Sequence, residues 1–276
     1  MKIMIKDDPF FWFKENTLRI PGVKGEHVFM HISDTHIEVV DETSTQEDID
    51  KVNYQIELWR KYKGKFATEA GEPYGEPQTI LNVEALDKQM ELAEELKPEA
   101  LLLTGDNLDY MHPAGAKYLA KKLAEYSGKY LVVPGNHEDP SCEGCWEAGV
   151  HVLECEGFRI VAVDDRNKTV AREDLDTLKA LCGEGVPIVL MCHVPFSTPY
   201  CKEEMSKLIS YFYFDETTED ENAREFMDLC INNDAIRGIL CGHVHSYHVV
   251  EYAPGKPQII GSQGMAGAVD IFKVVG

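Results

Sequence analysis

Basic residues are scarce in this chain: 27 Lys and Arg stand against 48 Asp and Glu in 276 residues, a formal net charge of −21. Duplex nucleic acid is bound by clustered cations that neutralise phosphates, so this balance argues against a duplex partner. The same field repels anionic membrane surfaces. Also missing is any apolar run near the roughly 20 residues that span a bilayer. The apolar patch Phe10 to Phe13 follows Asp7, Asp8 and Pro9, the wrong charge order for a signal peptide. The eight cysteines lack the spacing of a small secreted disulfide scaffold; Cys192 and Cys241 sit in apolar runs and Cys230 in a helical segment. Buried reduced thiols in a cytoplasmic protein are the simpler account. No internal repeat or low-complexity tract is visible. If such an acidic chain handles phosphate, a positive source other than Lys and Arg must attract it, and a bound metal ion is the obvious one.

What is present is ordinary for a globular domain: 44% hydrophobic and 27% charged residues. We expect one domain over 1–276. Short apolar runs recur at 27–33, 100–106, 130–136, 158–165, 187–194 and 236–245, each of buried-strand length and rich in Val, Ile and Leu. Helical periodicity lies between them. Over 79–97 it places Ile80, Val83, Leu86, Met90 and Leu96 on one stripe, and Pro98 marks the stop. Residues 113–127, 172–182 and 218–232 read as further helices, so strands alternating with helices predict an α/β architecture with covered sheets. Phe10 to Phe13 reads as an early strand or hairpin closing one end of the core. The strand-rich tail from Tyr247 to Val275 predicts that one sheet finishes with antiparallel strands. Two segments break the rhythm: an acidic, partly helical stretch at 41–78, and 195–222 with its aromatic cluster at 211–214. Both follow strand ends, and both read as loops or a cap that shape a pocket, with plain surface insertions as the alternative.

The chemistry stands at the ends of the apolar runs. They lead into Asp34-Thr35-His36, Gly105-Asp106-Asn107-Leu108-Asp109, Gly135-Asn136-His137-Glu138, Cys192-His193 and Gly242-His243-Val244-His245. Ligands of open α/β sheets bind outside the carboxyl ends of the strands, so these groups are placed to converge. The candidate metal ligands are Asp34, His36, Asp106, Asn136, His193, His243 and His245. That set is too large for one tetrahedral zinc and suits two ions sharing a carboxylate. Oxygen and imidazole donors without thiolate favour Mn, Fe or Zn over Ca or Mg. Asp-x-His and His-x-His are expected to aim two side chains to one side of an extended segment, with Gly105, Gly135 and Gly242 allowing close backbone approach.

This ordered set of five motifs resembles the calcineurin-like metallophosphoesterase superfamily over about residues 28 to 246. Within it, ISDTH, TGDNLD, VPGNHE and CGHVH are most similar to the bacterial cyclic-nucleotide phosphodiesterase-like branch. The resemblance implies a four-layer αββα sandwich of two mixed sheets flanked by helices. It implies one ion held by Asp34, His36, Asp106 and His245, and a second by Asp106, Asn136, His193 and His243, with Asp106 bridging. The implied reaction is hydrolysis of small phosphodiesters or phosphomonoesters by a metal-bridging hydroxide. His137 is then the proton donor to the leaving group, and Asp109 its hydrogen-bonding partner, unless Asp109 instead caps the helix after Pro113. Departures narrow the class. Tyr110-Met111 replace the Arg-Gly of protein phosphatases, and Asp109 stands where purple acid phosphatases carry a tyrosinate ligand. The alternatives are a nuclease on short or single-stranded nucleic acid and a noncatalytic metal-binding scaffold of the same fold. Arg166 could contact substrate but reads first as a surface ion pair, His112 as a residue that could line the pocket, and Cys142-x-x-Cys145 as loop cysteines without two further zinc ligands.

Overall fold

The computed structural model describes residues 9–110, 112–138, 145, 148–208 and 212–276. Met111, Cys142 and Tyr211 therefore lie outside the described residues. In chain order the elements are β1 (Trp12–Arg19), β2 (Glu26–Ile32), α1 (Gln46–Ala70), α2 (Asn82–Leu96), β3 (Leu101–Thr104), α3 (Pro113–Glu125), β4 (Tyr130–Val133), β5 (His151–Cys155) and β6 (Phe158–Ala162). There follow α4 (Arg172–Gly183), β7 (Ile188–Met191), α5 (Lys202–Met205), α6 (Glu221–Asn232), β8 (Ile236–Cys241), β9 (His248–Ala253), β10 (Lys256–Ile260) and β11 (Ala268–Val275).

The strands form two mixed sheets, one five-stranded in the order β1-β11-β2-β3-β4 and one six-stranded in the order β5-β6-β7-β8-β10-β9. In the first, β2, β3 and β4 run parallel, and β11 returns antiparallel to β2. In the second, β6, β7, β8 and β10 run parallel, with β5 and β9 antiparallel at the two edges. Alternation along the strands divides their side chains between two faces. Phe29, Leu102 and Val133 of the first sheet meet Ile160, Val189, Met191 and Leu240 of the second in one buried layer. The opposite face of the first sheet packs Met30, Leu101 and Leu103 on Leu86 and Met90 of α2 and Leu119 and Leu123 of α3. That of the second packs Val161, Ile188 and Leu190 on Leu175 and Leu178 of α4 and Phe226 and Cys230 of α6. Helix, sheet, sheet, helix is the expected four-layer order.

Several expectations need correction in detail. Of the strand or hairpin expected from Phe10 to Phe13, the strand is found, and its partner is the C-terminal β11, paired in parallel. Helix α2 begins at Asn82, because residues 76–79 form a separate 3₁₀ turn. The stretch 41–78 contains one helix of 25 residues, started by a capping box in which Thr45 and Asp48 satisfy each other's backbone N–H. Strand β5 carries only a weak sequence signal, since its burial alternates between exposed and half-buried with no buried apolar run.

Candidate metal centre

Parallel strands of both sheets point their carboxyl ends at the same edge, and the motif residues sit in the loops just beyond. Asp34 follows β2, Asp106 follows β3 and Asn136 follows β4, so the first sheet delivers every oxygen donor together with His36. His193 follows β7, and His243 and His245 follow β8, so the second sheet delivers the remaining imidazoles. The loops are knit by backbone bonds: Asp34 N–H donates to the Gly105 carbonyl at 3.0 Å, His36 N–H to Asp106 at 2.8 Å, and Gly242 N–H to His193 at 3.0 Å.

The backbone does not have the extended form expected of Asp-x-His and His-x-His. Asp34 (φ 56°), His36 (φ 40°), Asp106 (φ 50°), His243 (φ 73°) and His245 (φ 57°) are all left-handed. The paired side chains therefore converge because both members of each pair take this conformation, not because alternate residues of a strand share a face. Non-glycine residues there cost of order 1–3 kcal/mol each and persist only where the surroundings over-determine them. Asn136 and His137 likewise occupy a turn. The close approaches need glycine. A Cβ on Gly242 would lie 1.7 Å from Ser33 Oγ, and one on Gly135 would lie 2.2 Å from Asp106 Oδ1.

Two donor clusters share Asp106, and His36, Asp109 and His137 form a third group beside them. Ligand atoms of Asp34, His36, Asp106 and His245 all lie within 4.8 Å of one another, as do those of Asp106, His193 and His243. Asn136 completes the second, its Oδ1 standing 2.8 Å from His243 Nδ1 and 3.2 Å from His193 Nε2. Asp106 is common to both through one oxygen: Oδ2 is 3.7 Å from His36 Nε2 and 3.2 Å from His193 Nε2. Its other oxygen is occupied, accepting the His137 backbone N–H at 3.0 Å. All seven candidate ligands are thus brought together.

Charge at this point is incompletely balanced by protein. Asp34 and Asp106 are buried, and among the described residues their ion-pair partners are imidazoles only. Burial pushes the Asp106 carboxyl up, but His193, His137 and His36 outweigh it and hold it well below the usual range. Conversely, burial would deprotonate His193, yet Asp106, Asp34 and Asp165 raise it to about 10. Burial and the His193 charge drive His243 down to about 3, leaving a neutral imidazole. A buried site that must hold a proton on one imidazole to offset two carboxylates has the donor set and the charge demand of a cation site. Divalent ions fit it, releasing that proton on binding.

Around the donors sits a shell of groups the sequence reading largely missed. Glu138, buried at 3% exposure, accepts the backbone N–H groups of Asp106 (3.0 Å), Leu108 (2.8 Å) and Gly135. One carboxylate thereby staples the loop after β3 to the loop after β4. Burial and the neighbouring Asp106 raise its carboxyl to about 7. Asp165 does the same for the second sheet, accepting from His193 N–H at 2.7 Å and Val194 N–H at 2.8 Å. Arg166 is buried against a half-buried Asp164 rather than exposed at the surface, and its Nη1 donates to the Glu138 carbonyl at 3.0 Å. Glu138→Gln keeps the shape but turns an amide N–H towards backbone donors. Leaving such donors unmet costs about 1–3 kcal/mol, so chemical denaturation should show a loss of that order.

The proposed acid–base pair is assembled differently from expectation. His137 Nδ1 bonds the backbone carbonyl of Asp109 at 2.6 Å, while the Asp109 carboxylate is 3.7 Å away. That carboxylate instead accepts from Trp59 Nε1 at 2.8 Å and lies 3.4 Å from His36 Nδ1. Although burial opposes it, Asp106 and the Asp109 carbonyl raise the His137 pKa above its ordinary value. The helix after Pro113 is capped by His112, whose Nδ1 accepts the Ala114 N–H at 3.1 Å, so Asp109 is not the cap. His112 Nε2 faces Asp48 at 3.2 Å.

Both insertions reach the centre. From α1, Trp59 lies 4.4 Å from the His36 ring and Phe66 lies 4.9 Å from the His245 ring. From 195–222, Phe212 lies 5.3 Å from the His243 ring. Cys145 is buried, with Sγ 3.0 Å from the Ala116 carbonyl.

A family model described as calcineurin-like phosphoesterase matches residues 27–247, most of the chain. A curated protein of Synechococcus sp., named as a probable cyclic nucleotide phosphodiesterase, is 27% identical over 159 residues. That match spans 54% of this chain and 58% of the relative's length. Among solved structures, a dimetal phosphatase from Danio rerio superposes with a TM-score of 0.54 at 10% identity, over 87% of this chain and 88% of that one. That likeness is one of fold.

Proposed function

Because the chain belongs to the calcineurin-like phosphoesterase family, we propose that it is a two-metal hydrolase of small phosphate esters. The observation that carries this reading is the pair of donor clusters sharing Asp106. Asp34, His36, Asp106 and His245 would hold one divalent ion, and Asp106, Asn136, His193 and His243 the other. Mn, Fe or Zn suits these donors. When bound, such ions supply a hydroxide nucleophile at neutral pH and positive charge for the phosphate oxygens. They also answer the electrostatic objection to phosphate raised by the −21 charge.

The chain's own residues supply the rest. His137 keeps one proton on Nδ1, where the Asp109 carbonyl accepts it. A raised pKa favours a second proton on Nε2, which this side chain, 33% exposed, can pass to a leaving oxygen. Phe66 and Phe212 stand beside opposite clusters, each against one imidazole. The name of the Synechococcus relative makes small phosphodiesters the first class to test, with phosphomonoesters next. We assign the protein to the cytoplasm, in keeping with buried thiols at Cys182, Cys192, Cys201, Cys230 and Cys241. No helix among the described residues is long and apolar enough to cross a membrane.

Bis-p-nitrophenyl phosphate and p-nitrophenyl phosphate with Mn²⁺ test the reading directly. We expect elemental analysis to find about two ions per chain, and chelation to abolish turnover. Full activity with one ion or none would refute the two-ion assignment. Two bound ions without turnover on either ester or on single-stranded oligonucleotides would favour the noncatalytic scaffold.

A further inference from the structure

We propose that Trp59 of α1 is a positioning residue for the ion held by Asp34, His36, Asp106 and His245, and that docking of α1 is thereby coupled to binding of that ion. The inference rests on the two-ion reading above. An imidazole that presents Nε2 to a cation must carry its remaining proton on Nδ1, and an outer partner for that proton orients the ring and raises its basicity. For His36 the partner is Asp109, whose Oδ1 lies 3.4 Å from Nδ1. Among the described residues, no hydrogen bond from the loop after β3 holds this carboxylate in place. Its hydrogen bond comes from the Trp59 indole, 2.8 Å from the same oxygen. His36 Nδ1 and Asp109 Oδ2 are both buried without a hydrogen-bond partner among the described residues, so they can meet after a small rotation of the carboxylate. The indole ring also packs on the two imidazoles of this cluster, 4.4 Å from His36 and 5.5 Å from His245.

The contact is lopsided in a way that makes it testable. Phe212, from another segment, is the aromatic residue beside the second cluster. Helix α1 is also anchored away from this cluster, by buried Val52 and Ala67, by Lys63 Nζ donating to the Ile80 carbonyl at 2.9 Å and by Asp48 facing His112 at 3.2 Å, so its hydrogen exchange reports the Trp59 contact as one part of its docking. A residue that joins one cluster to one helix must act on both, because coupling between two binding events is reciprocal.

Trp59→Phe keeps an aromatic ring over His36 and removes the N–H. Calorimetric titration of the chelator-treated full chain with Mn²⁺ should show one of the two dissociation constants weakened by roughly 10- to 100-fold, the usual cost of losing an outer-shell partner. The other should be unchanged. Trp59→Phe and Asp109→Asn should be non-additive on the weakened constant, since they break one chain of contacts. Hydrogen exchange in α1 should slow on adding Mn²⁺ to the wild type and slow less in Trp59→Phe. Should Trp59→Phe fail to fold, Asp109→Asn, which keeps the indole, is subject to the same titration. Equal weakening of both constants, no weakening, or additivity would overturn the coupling while leaving the two-ion reading intact. Failure of the wild-type chain to take up Mn²⁺ would overturn both.

Discussion

Asp106→Asn is expected to cost both ions and to lower turnover by well over 100-fold. Its Oδ2 is the one donor atom facing both clusters, at 3.7 Å from His36 Nε2 and 3.2 Å from His193 Nε2. An amide at this position loses the negative charge that both ions would share, and its NH₂ face would repel a cation outright. Loss of outer-shell partners alone typically costs 10- to 100-fold in affinity, so loss of a ligand common to two sites must exceed that. His245→Ala supplies the contrast, because His245 belongs to one cluster only. That variant should retain about one ion where Asp106→Asn retains none. Elemental analysis after desalting, with a thermal melt in chelator to confirm cooperative folding, separates the cases. Normal occupancy and rate in Asp106→Asn would show that Asp106 does not bridge.

His137→Ala should leave both ions bound and slow the reaction by a factor that depends on the leaving group. The substitution removes the imidazole but keeps the backbone N–H that holds Asp106 Oδ1 at 3.0 Å. The bridging carboxylate therefore keeps its orientation. The side chain is 33% exposed, whereas His36 and His193 are fully buried, so His137 can reach a substrate that those imidazoles cannot. General acid catalysis is worth roughly 10²- to 10⁴-fold, and an alkyl phosphodiester, whose alkoxide leaves badly, should lose that much. A p-nitrophenyl diester releases a weakly basic phenolate and should lose far less. Equal losses on both substrates, or loss of an ion, would refute proton donation by His137.

How much of this was readable from the chain depends on the length scale of each feature. The six apolar runs became β2, β3, β4, β6, β7 and β8, because uninterrupted Val, Ile and Leu over strand length is a local signal. Strand β5 and edge strand β1 carry weaker local signals. Their pairing is decided by neighbours distant in sequence, as when Trp12 meets Ala268. The candidate ligands were legible since each motif ends a run and gathers acids, an amide or imidazoles there, three of the five with glycine. Their left-handed backbone was not: Asp34, His36, His243 and His245 have no sequence mark of it, and the conformation is imposed by bonds such as His243 N–H to Asp34, across 209 residues. Glu138 was passed over because its role is to accept from three backbone groups, two of them in another loop.

The amino-acid sequence alone placed seven candidate donors at the ends of buried strands, and the order of those motifs carried the family resemblance that implied the layer order and the phosphoesterase chemistry. The tertiary structure alone decided which donors meet. His36 of the first sheet lies 2.9 Å from His245 of the second, and His193 lies 3.2 Å from Asn136. It also decided that the Asp109 carboxylate serves Trp59 and His36 rather than His137, because a helix between β2 and β3 folds back over the strand ends. Such pairings depend on how two sheets stack and where an inserted helix lands. Those are long-range packing outcomes of burying both sheet faces, and no window of local sequence contains them.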